Sequence, residues 1–134
     1  MTAKACQDAL DTLFKANAAV KAALGTPPRL FDAPVKMAAY PFAMWRRWET
    51  RPIDASSTPT QEHIATLELV SRQTGTHEAR LALEALAACL SGPSPPAIGA
   101  KIILALPVYS DVMRANDGRT WLGILRLKVI AEPM

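Results

Sequence analysis

Histidine, cysteine, glycine and aromatic side chains are all scarce in this chain of 134 residues, and each scarcity argues against a class of function. The two histidines, His63 and His77, have no Cys, His, Asp or Glu at metal-ligand spacing, which argues against a zinc site. Asp111, His77 and a serine can be drawn as a catalytic trio, but any chain of this size offers one. Cys6 and Cys89 each lie in an Ala/Leu-rich helical pattern and read as buried, reduced thiols. The six glycines mark turns and build no phosphate-binding loop. Aromatic residues, at 6%, are too few for a platform that stacks single-stranded nucleic acid. The first residues are polar, and no apolar run approaches the ~20 residues of a membrane helix. The expectation is a cytoplasmic protein with no catalytic residues, no cofactor, no metal and no membrane contact.

What is present fits one globular domain spanning residues 1–134. Half the residues are hydrophobic and a fifth are charged, and the chain is long enough to enclose a core. The net charge of +3 is mild, short of what a dedicated nucleic-acid binder carries.

Ala3 to Ala16 has the apolar spacing of a helix, with Ala5, Leu10, Leu13 and Phe14 as its stripe. Asn17 is placed to cap a second short turn, Ala18 to Leu24, stopped by Gly25 and Pro27-Pro28. Arg29 to Tyr40 reads as irregular, anchored by Leu30 and Phe31. Pro41 to Trp48 reads as a short strand, with Phe42, Met44, Arg46 and Trp48 on one face and Ala43, Trp45 and Arg47 on the other. Glu49 to Thr60 holds Pro52, Pro59 and a Ser-Ser-Thr run, hence a loop. In the strand Gln61 to Arg72, Ala65, Leu67 and Leu69 face one way and Ile64, Thr66, Glu68 and Val70 the other. A helix capped by Thr74 or Thr76 runs to about Leu90, with Leu83, Leu86, Ala87 and Leu90 inward. Pro93 to Pro96 is a stiff link.

The last third reads as a long hairpin around Asp117-Gly118, a dipeptide suited to a two-residue turn. Its register pairs Asn116 with Arg119, Arg114 with Trp121, Val112 with Gly123 and Val108 with Leu127. That puts Leu106, Val108 and Val112 on the face of Leu125, Leu127 and Val129. Pro107 marks an edge position or a bulge. The order α-β-β-α-β-β predicts an α+β fold: an antiparallel or mixed four-stranded sheet with two main helices on one face.

Arg46, Arg47 and Arg51 border the loop, and Arg114 and Arg119 flank the hairpin tip around Asp117. They read either as a solvated surface or as contacts to a neighbouring subunit. Trp45 and Trp48 fit the second reading, since Trp and Arg are enriched at interface hot spots. Arg114 faces Trp121 as a cation–π pair. An acidic set, Glu62, Glu68, Glu78 and Glu84, offers charge complementary to the arginines.

Several segments in this order resemble the small tail-completion or tail-terminator proteins of long-tailed phages, prophages and gene transfer agents. The matching segments are Asp11 to Leu24, Leu30-Phe31-Asp32, Tyr40-Pro41-Phe42, Leu69-Val70-Ser71-Arg72 and the helix from Glu78. Most specific is Arg114-Ala115-Asn116-Asp117-Gly118-Arg119-Thr120 leading into Gly123-Ile124-Leu125-Arg126. Tyr109 to Met113 matches by pattern alone. The resemblance implies a subunit of a ring, usually a hexamer, that closes the head-proximal end of the tail tube. Its partners would be other copies of itself, the tail-tube protein and a head-completion or stopper protein. DNA would pass the lumen without sequence-specific binding, and the subunit would move from cytoplasm into the particle. The alternative is a small cytoplasmic protein-binding or regulatory module that forms no ring.

Overall fold

The computed structural model describes residues 2–53, 59–72 and 75–134. Three α-helices, α1 (Ala3–Ala16), α2 (Ala18–Leu24) and α3 (His77–Ala88), accompany β1 (Leu30–Phe31), β2 (Phe42–Ile53), β3 (Thr60–Ser71), β4 (Ala100–Arg114) and β5 (Trp121–Pro133). The strands form one mixed sheet in the order β1-β2-β3-β5-β4, antiparallel except for the parallel β1–β2 pair. The fold is therefore α+β as expected, but with five strands and three helices among the described residues. The extra strand is the Leu30–Phe31 anchor itself, which pairs with Ala43 and Met44. Two residues leave no alternation for a sequence pattern to reveal.

Alternation along β3 puts Ala65, Leu67 and Leu69 on the inner face beside Leu125, Leu127 and Val129 of β5. The helices close over that face with Cys6, Leu10 and Phe14 of α1, Val20 and Leu24 of α2, and Ala79, Ala82, Leu83 and Leu86 of α3, in one buried cluster. The Asn17 side chain caps α2 as its position suggests, accepting from the N–H groups of Ala19 and Val20 at 2.9 and 3.1 Å. Thr76 caps nothing with its hydroxyl, which instead accepts from the Arg80 guanidinium at 3.1 Å. Thr74 lies outside the described residues. α3 ends at Ala88 and tightens into a 3-10 turn over Cys89–Ser91, so Leu90 lies just past the helix yet remains buried.

Of the loop expected from Glu49 to Thr60, the described residues are strand except Pro59. β2 runs on to Ile53 and pairs antiparallel with β3 from Thr60 upward; residues 54–58 lie outside the described residues. Pro52, one residue before the end of β2, lies where only β3 flanks the strand within the subunit.

Among the described residues three β-bulges decide which side chains face the core. In β2 the register shifts between Trp45 and Arg47, so Arg46 is the extra residue. Trp48 consequently joins Trp45 on the inner face, and Arg47 moves to the outer one, reversing the simple alternation. In β4 the shifts fall at Ile103 and Val108. Leu127 thus faces Pro107, not Val108, and Leu106 faces Lys128 on the outer side. Val112 opposite Gly123 and Arg114 opposite Trp121 pair as expected, being on the tip side of the last bulge. Pro107 proves to be both on an edge strand and beside a bulge.

The hairpin tip differs from a two-residue turn. Ala115 N–H bonds to the Thr120 carbonyl at 2.7 Å, and Gly118 N–H bonds to the Ala115 carbonyl at 3.1 Å. Four residues, Asn116 to Arg119, form the loop, and Gly118 alone has positive φ, at 73°. Asp117 contributes with its side chain. One carboxylate oxygen accepts from the N–H groups of Arg119 and Thr120, both at 2.9 Å, and the other from the Thr120 hydroxyl at 2.7 Å. Led by the Thr120 hydroxyl, these donors hold the Asp117 carboxyl down at about 2.

Candidate subunit-contact edges

A sheet that does not close on itself ends in two strands whose outer backbone groups are free to pair. Here β4 forms one edge over its whole length, from Ala100 to Arg114. At the other side β1 covers only Ala43 and Met44. Among the described residues no strand pairs with the outer edge of β2 from Arg46 to Ile53. The suggested contact residues fall on these two edges. Arg46, Arg47, Trp48 and Arg51 lie on β2; Arg114 ends β4, and Asp117 and Arg119 lie in the adjoining tip.

The tryptophans do not share a surface with the arginines. Trp45 is 8% exposed, stacks near Phe14 (centroids 6.1 Å apart) and donates its indole N–H to Asp11 at 3.2 Å. Trp48 is half-buried on the same inner face, 5.6 Å from Trp45. The Arg46 bulge is the physical reason: it turns Trp48 to the inner face that Trp45 already occupies and sends Arg47 outside.

The acidic set is not a separate complementary patch either. Arg46 pairs with Glu68, and Arg51 with Glu62 at 2.8 Å, across the β2–β3 ladder. Burial opposes a charge on Glu62, which is 8% exposed, but Lys128 at 3.4 Å together with Arg51 outweighs it and holds the carboxyl below its ordinary range. Glu78 accepts from the Ser71 hydroxyl at 2.6 Å, and Glu84 lies on α3, in the helical layer. Arg47 differs from its neighbours. Its side chain is 68% exposed and pairs at 2.9 Å with Glu49, itself 49% exposed, two residues along the same strand. At the tip, Arg114 lies over Trp121, 5.1 Å from the ring centroid, as its register predicts.

His63, isolated in the sequence, is the centre of a buried polar network. It is 0% exposed on the inner face, with its Nδ1 accepting from the Trp48 indole N–H at 3.1 Å. An indole only donates, so the proton of the neutral ring resides on Nε2. Nε2–H then donates to the Thr2 hydroxyl at 2.8 Å, which donates to Gln61 at 2.7 Å. Burial lowers the His63 pKa below its ordinary 6.5. The unfolded chain therefore takes up this proton first as pH falls. Stability from this site is full above 6.5 and declines as pH drops below it, toward the lowered folded value. Thermal melts should show that decline, and His63→Gln should flatten it; an unchanged slope would exclude the network as its source.

The two thiols follow the sequence reading. Cys6 and Cys89 are free and buried. Burial pushes Cys6 up to about 11, partly offset by the Thr2 hydroxyl, and raises Cys89 as well. Asp111 and His77 do not assemble: Asp111 is on the outer face of β4, whereas His77 opens α3 in the layer covering the inner face. No helix among the described residues is long and apolar enough to cross a membrane.

The family model for tail completion protein gp17 matches residues 4–132. A chain in a structure described as the virion of a native gene transfer agent particle superposes with a TM-score of 0.87 at 17% identity, covering 98% of this chain and 97% of that one. No curated protein sequence matches.

Proposed function

This chain belongs to the tail completion protein gp17 family, and from that premise we propose that it is a structural subunit of a phage-like tail, with no catalytic role. It assembles in the cytoplasm as a homo-oligomeric ring, a hexamer, that ends the tail tube and presents a docking face to a head-completion protein. DNA passes its lumen without sequence-specific contacts. The family match over nearly the whole chain is the observation that carries this reading. The sheet edges support the ring. A closed ring of identical subunits needs two different patches that contact each other head to tail, and the β2 and β4 edges are two such patches.

The β2 arginines serve the ring contact in this proposal, and Arg47 gives the cleanest test. Reversing Arg46 would set a second carboxylate against Glu68, whose side chain is only 12% exposed. Arg47→Glu disturbs a solvated pair alone, so fold stability should change by no more than ~0.5 kcal/mol. Particles carrying Arg47→Glu should show tails of uncontrolled length, or tails without heads, in electron micrographs. Normal tails joined to heads would remove this arginine from the contact. Normal particles after deletion of the whole gene would refute the tail-completion role and leave a ring-free binding module.

A further inference from the structure

We infer that neighbouring copies join by backbone pairing of β4 with the β2 edge of the next copy, so that the sheet continues from subunit to subunit. This inference rests on the ring reading above and names its contact.

Strand direction comes first. β2 and β5 run one way and β3 and β4 the other, because each of the pairs β2–β3, β3–β5 and β5–β4 is antiparallel. A rotation that carries one subunit sideways into the next while preserving strand direction brings β4 against an antiparallel β2. The alternation then continues across the boundary with the ordinary antiparallel ladder. Such edge-to-edge addition is head to tail, the contact type a ring requires. The side chains of β4 agree: Ile103, Leu104, Val108, Tyr109 and Met113 are all exposed. Long exposed apolar edges are ordinarily blunted in a protein that stays single.

Register follows from three constraints. The paired stretch must avoid bulges; the longest bulge-free run of β4 is Tyr109 to Arg114, between the Val108 bulge and the tip, and on β2 it is the residues after Arg46. Inner-face residues must meet inner-face residues. Charges must not clash. Setting Arg51 opposite Asp111 satisfies all three and aligns six residues, Trp48 to Ile53, with six, Tyr109 to Arg114; Pro52, opposite Ser110, gives no N–H to the ladder. Trp48 and Arg114 then share the inner face, as do Thr50 and Val112. Ile53 meets Tyr109 and Glu49 meets Met113 on the outer face, while Arg47 reaches the neighbour's tip beside Asp117. A shift of two residues one way sets Glu49 against Asp111. The other shift leaves only four residues paired. Asp111 accepts a long 3.4 Å bond from the Tyr109 hydroxyl, and the Arg51 side chain is 76% exposed, so both are accessible to each other across the boundary.

Cysteine pairs test the register inside assembled particles. Arg51→Cys with Asp111→Cys in one chain, or Glu49→Cys with Met113→Cys as a second variant, should cross-link on oxidation into a non-reducing gel ladder extending beyond the dimer. The mismatched pair Glu49→Cys with Asp111→Cys should cross-link at least fivefold less, and each single variant should give no ladder. Tail length and head joining are scored in the same samples. Normal tails joined to heads without a ladder from either matched pair would overturn the edge pairing while leaving the tail role intact. A ladder that stops at the dimer, or one equally strong for the mismatched pair, would overturn it too. Normal particles without the gene would remove the role and the contact together.

Discussion

Gly123→Val is expected to destabilise the fold by about 1–3 kcal/mol, a fall of roughly 4–11 °C in melting temperature. Gly123 sits on the inner face of β5, paired with Leu69 on β3 and Val112 on β4. A Cβ built there would lie 3.1 Å from Leu83 Cδ1 on α3 and 3.2 Å from Leu69 Cβ. Ordinary van der Waals contact begins further out, so α3 can seat this close only because position 123 carries no side chain. The Leu69 Cβ is fixed to backbone and cannot yield; the Leu83 methyl can. In a Leu83→Ala background the added cost of Gly123→Val should therefore shrink but not vanish. Full additivity of the two substitutions would show that α3 is not seated on Gly123.

Phe14→Ala should be costlier still, at about 3–5 kcal/mol. Phe14 is fully buried, on the face of α1 that carries Cys6, Ala9 and Leu10. Its ring lies beside Trp45, and Asp11, one turn earlier on the same helix, receives the Trp45 indole N–H. Removing the ring leaves a cavity that α1 cannot close without breaking that hydrogen bond. Chemical denaturation should show the loss, accompanied by a change in tryptophan emission as Trp45 loses its neighbour. A cost below ~1 kcal/mol would mean that α1 is held by other contacts.

Both substitutions act on positions that the sequence reveals unequally. Phe14 is legible from helical periodicity, because residues three and four apart share a face and Leu10, Leu13 and Phe14 repeat on it. Asn17 is legible as a cap, since a short polar side chain ahead of an Ala-rich run meets the free N–H groups of the first turn. The alternation of Ala65, Leu67 and Leu69 fixes the inner face of β3, and the pairs Arg114–Trp121 and Val112–Gly123 follow from a hairpin centred on Asp117-Gly118, although the turn itself takes four residues and leaves Asn116 and Arg119 unpaired in the ladder. Family resemblance is legible as well, carried by the order of short segments along the whole chain.

The bulges were decided only in three dimensions. A bulge adds one residue to one strand of a pair, so it can be seen only when the partner strand is present to be counted against. That is why Arg46 could not be read as the residue that sends Trp48 inward and Arg47 outward, nor Val108 as the one that displaces Leu106 from the core face. Gly123 reads as a weak strand residue until α3 lies over it. His63 stands alone in the sequence pattern; its partners, Thr2, Trp48 and Thr50, come from the residue ahead of α1 and from β2. Local patterns determined the elements and their faces, because those depend on backbone periods of 3.6 and 2. Which residues meet at the sheet edges depended on counting across strands, and only the tertiary structure contains that count.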